Sequence, residues 1–256
     1  GSSPEKIEHL CRTYVEAAYN LGAKVVILCN TMDANARVKL EKEFSIHILG
    51  PIIPAVEAVL RLEQANGKRL KSIGIVATKA TIESGAYINE IRKHTEETGI
   101  FSIAAPLFAT MVDKGECDQT GFQVITPQNT SIIEENLKPL MEKDVDVLVL
   151  GCTHYGIFES VIHEVWKRCT GNEINIIDSS RELSRYAHSF LKENKILSLR
   201  TKQKGKITYM ASAEDTPEFG RKVSEITGYP ANVVPIDIGE VVGRLSEEDR
   251  SFQKTV

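Results

Sequence analysis

The 256-residue chain has no apolar run approaching the roughly 18–20 residues that a membrane helix needs. Its longest such runs, Val25–Leu28 and Val147–Leu150, have the length of buried strands. No charged start followed by a hydrophobic stretch is present, so a secretory leader is not expected. There is no excess of positive charge. The 31 Lys and Arg residues stand against 35 Asp and Glu, a net charge of -4. That balance offers no basic surface of the kind nucleic-acid binding requires. No CxxC occurs, and the five cysteines (Cys11, Cys29, Cys117, Cys152 and Cys169) are odd in number and irregularly spaced. A disulfide framework is therefore not expected, and reduced thiols in a cytoplasm are.

What is present suits a globular α/β protein of one large or two smaller domains, with 42% hydrophobic and 26% charged residues. Short apolar β-type runs alternate with amphipathic stretches. Strands are expected over residues 24–28, 46–49, 72–77, 101–106, 146–150, 174–177 and 207–212. Helices are expected over 3–21, 35–44, 55–64, 82–98, 130–143, 158–167, 182–194 and 217–227. Residues 197–206 read as an exposed loop, and the end of the chain, from 246, as frayed. The alternation predicts βαβ units and a mostly parallel sheet. Ligands in such sheets bind beyond the carboxyl ends of strands, so the residues after each apolar run matter most.

Two strand ends are alike. Val25–Leu28 leads into Cys29-Asn30-Thr31, and Val147–Leu150 into Gly151-Cys152-Thr153-His154. The likeness suggests two similar halves, each offering a thiol from the top of its sheet. A thiolate can take a proton from carbon, and a thiol on the opposite face can return one; inverting a stereocentre needs that pair. Asn30, Thr31 and Thr153 add short-armed donors for carboxylates, beside backbone N–H groups at helix starts. A single cysteine after a strand is ordinarily a small buried hydrophobe. Zinc held by Cys29, Cys152 and His154 is another reading, without the close paired spacing of structural zinc sites.

At these residues the chain resembles the glutamate racemases of bacterial wall synthesis, within the aspartate/glutamate racemase superfamily. Cys29-Asn30-Thr31 is similar to the family's first cysteine motif, and Gly151-Cys152-Thr153-His154-Tyr155 to its second. Residues 74–87 (GIVATKATIESGAY) resemble the segment that places two threonines, here Thr78 and Thr81, near substrate. Residues 106–115 (PLFATMVDKG) resemble a further stretch that puts Asp113 where the family has an acidic residue tuning the histidine.

The resemblance implies two pseudo-symmetric, doubly wound parallel-sheet domains with the active site in the cleft between them. The first would take residues 1–55 and 176–256, the second 56–175. It implies a two-base mechanism with no cofactor and no metal, in a cytoplasmic, homodimeric bacterial enzyme that supplies D-glutamate for peptidoglycan. Cys29 would deprotonate one enantiomer and Cys152 the other, with His154 and Asp113 assisting. Asn30, Thr31, Thr78, Thr81, Thr153 and His154 would bind glutamate. An aspartate racemase or related isomerase of the superfamily, and a two-lobed small-molecule-binding protein without turnover, stand as alternatives. Three departures accompany the match. The family's opening Asp-Ser-Gly and Pro-Tyr-Gly motifs are not found, so the chain is expected to start about 40 residues late and to lack a central strand whose neighbour's backbone groups need partners. Met32-Asp33 replaces a pair of small residues, with Asp33 repelling a carboxylate unless it points away or caps the following helix. Gly156 stands where a proline is usual.

Overall fold

Strand, helix, strand recurs down the chain because apolar runs too short for helices are separated by stretches with helical periodicity. The computed structural model describes residues 3–113, 127–197, 206–212 and 216–243. The first part runs α1 (Pro4–Asn20), β1 (Val25–Ile27), α2 (Asn30–Glu43), β2 (His47–Leu49) and α3 (Ile52–Asn66). Then come β3 (Ser72–Ala77), α4 (Lys79–Glu83), α5 (Ala86–Arg92), β4 (Gly99–Ala104), α6 (Pro106–Asp113) and α7 (Pro127–Met141). β5 (Val147–Gly151) leads through a 3₁₀ turn (Tyr155–Phe158) into α8 (Glu159–Thr170), and β6 (Asn175–Asp178) into α9 (Ser179–Glu193). The last described elements are β7 (Tyr209–Ala211), α10 (Thr216–Thr227), β8 (Val233–Pro235) and α11 (Ile238–Gly243). The expected loop over 197–206 lies mostly, and the expected frayed end from 246 entirely, outside the described residues.

The largest sheet has strand order β4-β3-β5-β6, and every pair in it is parallel. Its central strands, Ser72–Ala77 and Val147–Gly151, are buried along their whole length, as a sheet covered on both faces requires. Side chains alternate between the faces. Ile73, Ile75, Val147 and Val149 meet Ile52, Val56 and Val59 of α3 and Tyr87 and Ile91 of α5. Val76, Leu148 and Leu150 meet α6, α7 and α8 through Phe108, Ile133, Leu137 and Val165. The chain winds outward from β3 to β4, then returns to the other side of β3 to lay down β5. The crevice at the carboxyl ends of β3 and β5 is therefore a topological switch point, where such sheets hold ligands.

β1 and β2 form a separate parallel pair, Val25 opposite His47 and Ile27 opposite Leu49. One face packs on α1 and α2 through Cys11, Val15, Leu28, Ala36, Leu40 and Ile48. Leu49 packs against Leu183 and Ala187 of α9. β7 and β8 form a second such parallel pair, and α11 returns to α1. Among the described residues no helix is long and apolar enough to cross a membrane.

Several elements depart from the sequence expectation, for local reasons. α2 starts at Asn30, not 35, with Cys29 extended as its N-cap (φ -76°, ψ 168°). Its first turn is polar, so periodicity does not announce it. The single helix expected over 82–98 is two, because Gly85 takes φ +67° between them. The strand expected to reach residue 106 stops at Ala104, and Pro106 opens α6 as an N-terminal proline can. β8 and α11 are too short to show a period.

Candidate active site

Three turns converge at the switch point. β1 ends at Ile27, Leu28 follows it, and Cys29 caps α2, which places Asn30 and Thr31 in the first helical turn. β3 ends in Ala77, and Thr78 caps α4, its side chain accepting from the Thr81 N–H. β5 ends in Gly151, opposite Ala77 in register, and Cys152 follows it directly. Gly151 packs closely: a Cβ there would lie 3.0 Å from Ala77 Cβ and from Tyr87 Cε2.

The threonines join the turns. Thr31 Oγ1 lies 3.0 Å from Thr78 Oγ1 and 3.4 Å from Thr81 Oγ1, and the latter two are 2.9 Å apart. This hydroxyl triangle sets the Cys29 turn against the carboxyl end of β3 in the four-stranded sheet. Thr31 and Thr78 are half-buried, while Thr81 is buried. Cys29 is half-buried and Cys152 is buried, 6% exposed. Cys152 Sγ lies 3.7 Å from Nδ1 of His154, within hydrogen-bond reach for sulfur. His154 itself is exposed and Thr153 half-buried. The structure thus brings Cys29, Thr31, Thr78, Thr81, Cys152, Thr153 and His154 to one end of the sheets. Asp113 is the last residue of α6, and its side chain lies outside the described residues.

Asn30 is 1% exposed, and both ends of its amide are engaged. Nδ2 donates to Ser179 Oγ at 3.0 Å, and Oδ1 accepts from Tyr87 Oη at 2.7 Å. Ser179 and Tyr87 are functional candidates that sequence reasoning missed. Ser179 follows β6, so the strand-end rule applied to that strand would have found it; Tyr87 had no comparable signal. Burial pushes the Tyr87 phenol well above the usual tyrosine range, so it stays a donor. The Tyr155 phenol is raised for the same reason and donates to Ala105 O at 2.7 Å.

Asp33 points away from the thiol. Its Oδ2 accepts from the Ile52 N–H at 2.9 Å, and Oδ1 accepts from Arg37 Nε at 2.6 Å. Burial raises its carboxyl above the ordinary range, against the lowering influence of those two donors. Gly156 is explained by Asp178, whose carboxylate fills the place a side chain would take. Among the described residues no three His, Cys, Asp or Glu side chains are grouped to hold a metal, so Cys29, Cys152 and His154 do not form the zinc set considered above.

Fold and site together define a class: a doubly wound α/β protein with a thiol-bearing polar cluster at the switch point of a parallel sheet. Comparison with known proteins narrows the class. The chain belongs to the Asp/Glu/Hydantoin racemase family, whose model matches residues 3–187. The glutamate racemase of Oceanobacillus iheyensis is 30% identical over 174 residues, 68% of this chain but 58% of that protein, which is less than two thirds of its length. That of Persephonella marina is 29% identical over 232 residues, 90% of this chain and 78% of that one. Among solved structures, glutamate racemase isoform RacE1 from Bacillus anthracis superposes with a TM-score of 0.77 at 25% identity, covering 92% of this chain and 82% of that one.

Proposed function

We propose that the chain interconverts L- and D-glutamate by a two-thiol mechanism that uses no cofactor. The observation that carries this reading is the Thr31–Thr78–Thr81 triangle, which sets the turn of one cysteine beside the strand end of the other. Family membership supports the same reaction class.

In the mechanism, the thiolate of Cys29 takes the Cα proton from one face. The resulting planar carbanion receives a proton from the Cys152 thiol on the other face. The reverse direction exchanges the two roles. His154, at 3.7 Å, carries protons to and from Cys152. Backbone N–H groups at the start of α2 face the place where a substrate carboxylate would sit. Thr31, Thr78, Thr81 and Thr153 supply hydroxyls around it, Asn30 holds the Cys29 turn with its buried amide, and Asp113 tunes His154. The division into two lobes falls after β6 and not at 175/176, because Asn175–Asp178 pairs with β5; the lobes work as a homodimer in a bacterial cytoplasm. The product serves peptidoglycan synthesis.

Chiral chromatography of separate incubations with L-glutamate, D-glutamate and L-aspartate tests the reading. Both glutamate enantiomers should drift to an equal mixture without added cofactor. Aspartate, shorter by one methylene, should react about 10–200-fold more slowly. Faster turnover of aspartate would make it an aspartate racemase, and no inversion of either would end the proposal.

A further inference from the structure

Tyr87, Asn30 and Ser179 form a one-way series of donors. Tyr87 Oη donates to Asn30 Oδ1 at 2.7 Å, Asn30 Nδ2 to Ser179 Oγ at 3.0 Å, and Ser179 Oγ to Leu150 O at 2.6 Å. All three side chains are buried. The four residues belong to α5, α2, α9 and β5. Asn30 directly follows Cys29, and Leu150 precedes Cys152 by two positions. The series therefore ties the turn of one thiol to the strand of the other. Ser179 is also where the chain leaves the four-stranded sheet.

We infer that Tyr87 and Ser179 are positioning residues that act through Asn30 to hold the Cys29 turn in register with β5. This rests on the two-thiol reading above. The hydroxyl of Ser179 has one hydrogen and gives it to Leu150 O, so a flipped Asn30 amide would set two oxygens against each other. The amide thus has one orientation, and the turn attached to it one seat. Proton transfer between carbon and sulfur is sensitive to that seat, since a misplacement of about 1 Å can cost on the order of 10²-fold in rate.

Packing is separable from positioning. The Tyr87 ring lies against Gly151, where a Cβ would come within 3.0 Å of it. Tyr87→Phe keeps the ring and removes only the hydroxyl. We expect Tyr87→Phe and Ser179→Ala each to lower kcat about 10-fold with KM held within about twofold. The double variant should lose less than the product of the two, because both act on one amide. Amide hydrogen exchange should quicken at residues 29–33 and 151–155 together in Tyr87→Phe, and stay unchanged at 73–77. That second readout stands even if the unmodified chain racemises nothing, so a failed reaction assignment is not confused with a failed positioning role. An unchanged kcat in Tyr87→Phe, a KM effect with kcat held, or unaltered exchange at both cysteine turns would overturn the inference.

Discussion

At the residue scale, four cysteines of one chain stand in different surroundings. Cys11 is fully buried in α1 among Val15, Leu28 and Leu40. Burial pushes its thiol from an ordinary value of 9.0 up to about 12. The unfolded chain ionises this thiol first, so stability is intact below the ordinary value and falls as pH rises toward the folded one. Cys11→Ala should therefore flatten the alkaline limb of stability, which urea melts at pH 8 and 10 will read. In the native protein at pH 8, iodoacetamide should modify exposed Cys169 and spare Cys11, with peptide mapping as the check. Cys29 and Cys152 differ from Cys11 in sitting at strand ends beside polar partners. Their place was legible in the sequence from the matched apolar runs before them. The pairing of Asn30 with Tyr87 and Ser179 was not, because it joins positions 57 and 149 residues apart with no periodic signal. Serine in place of either Cys29 or Cys152 should lower racemisation by about 10²–10⁴-fold, the usual share of one acid–base group.

Elements are held by small residues at close approaches. Gly50 sits where any Cβ would overlap the Asp33 carboxylate, and that carboxylate caps the start of α3 through Ile52. Gly50→Ala should cost about 1–3 kcal/mol by overpacking. Combined with Asp33→Ala it should cost less than the sum of the two, as urea midpoints of all four proteins would show. Thr78 has two duties, capping α4 and meeting Thr31. Thr78→Ala should lose about 1 kcal/mol of stability for the cap, with a drop in turnover beyond what that loss explains. Sequence periodicity placed the buried strand Ser72–Ala77 as observed because every residue in it is apolar or small. It misplaced the start of α2 and the break at Gly85, since a polar first turn and a left-handed glycine carry no period.

At the scale of the whole molecule, the alternation of strand and helix dictated parallel sheets, and strand order then created the switch point. Alternation alone does not say which strands neighbour one another, so β1 and β2 pairing apart from the four-stranded sheet could not be read from it. The hydroxyl triangle and the Tyr87–Asn30–Ser179 series both tie the Cys29 turn to the elements around the four-stranded sheet. In the proposed mechanism one thiol takes the Cα proton of glutamate and the other delivers a different proton to the opposite face. Proton NMR of L-glutamate with the chain in deuterated water tests it most directly. Loss of the Cα proton signal is expected, with deuterated D-glutamate resolved by chiral chromatography of the product, and no D-glutamate formed by Cys29→Ala or by Cys152→Ala. Retention of the Cα proton with the unmodified chain, or racemisation that survives either substitution, would contradict it.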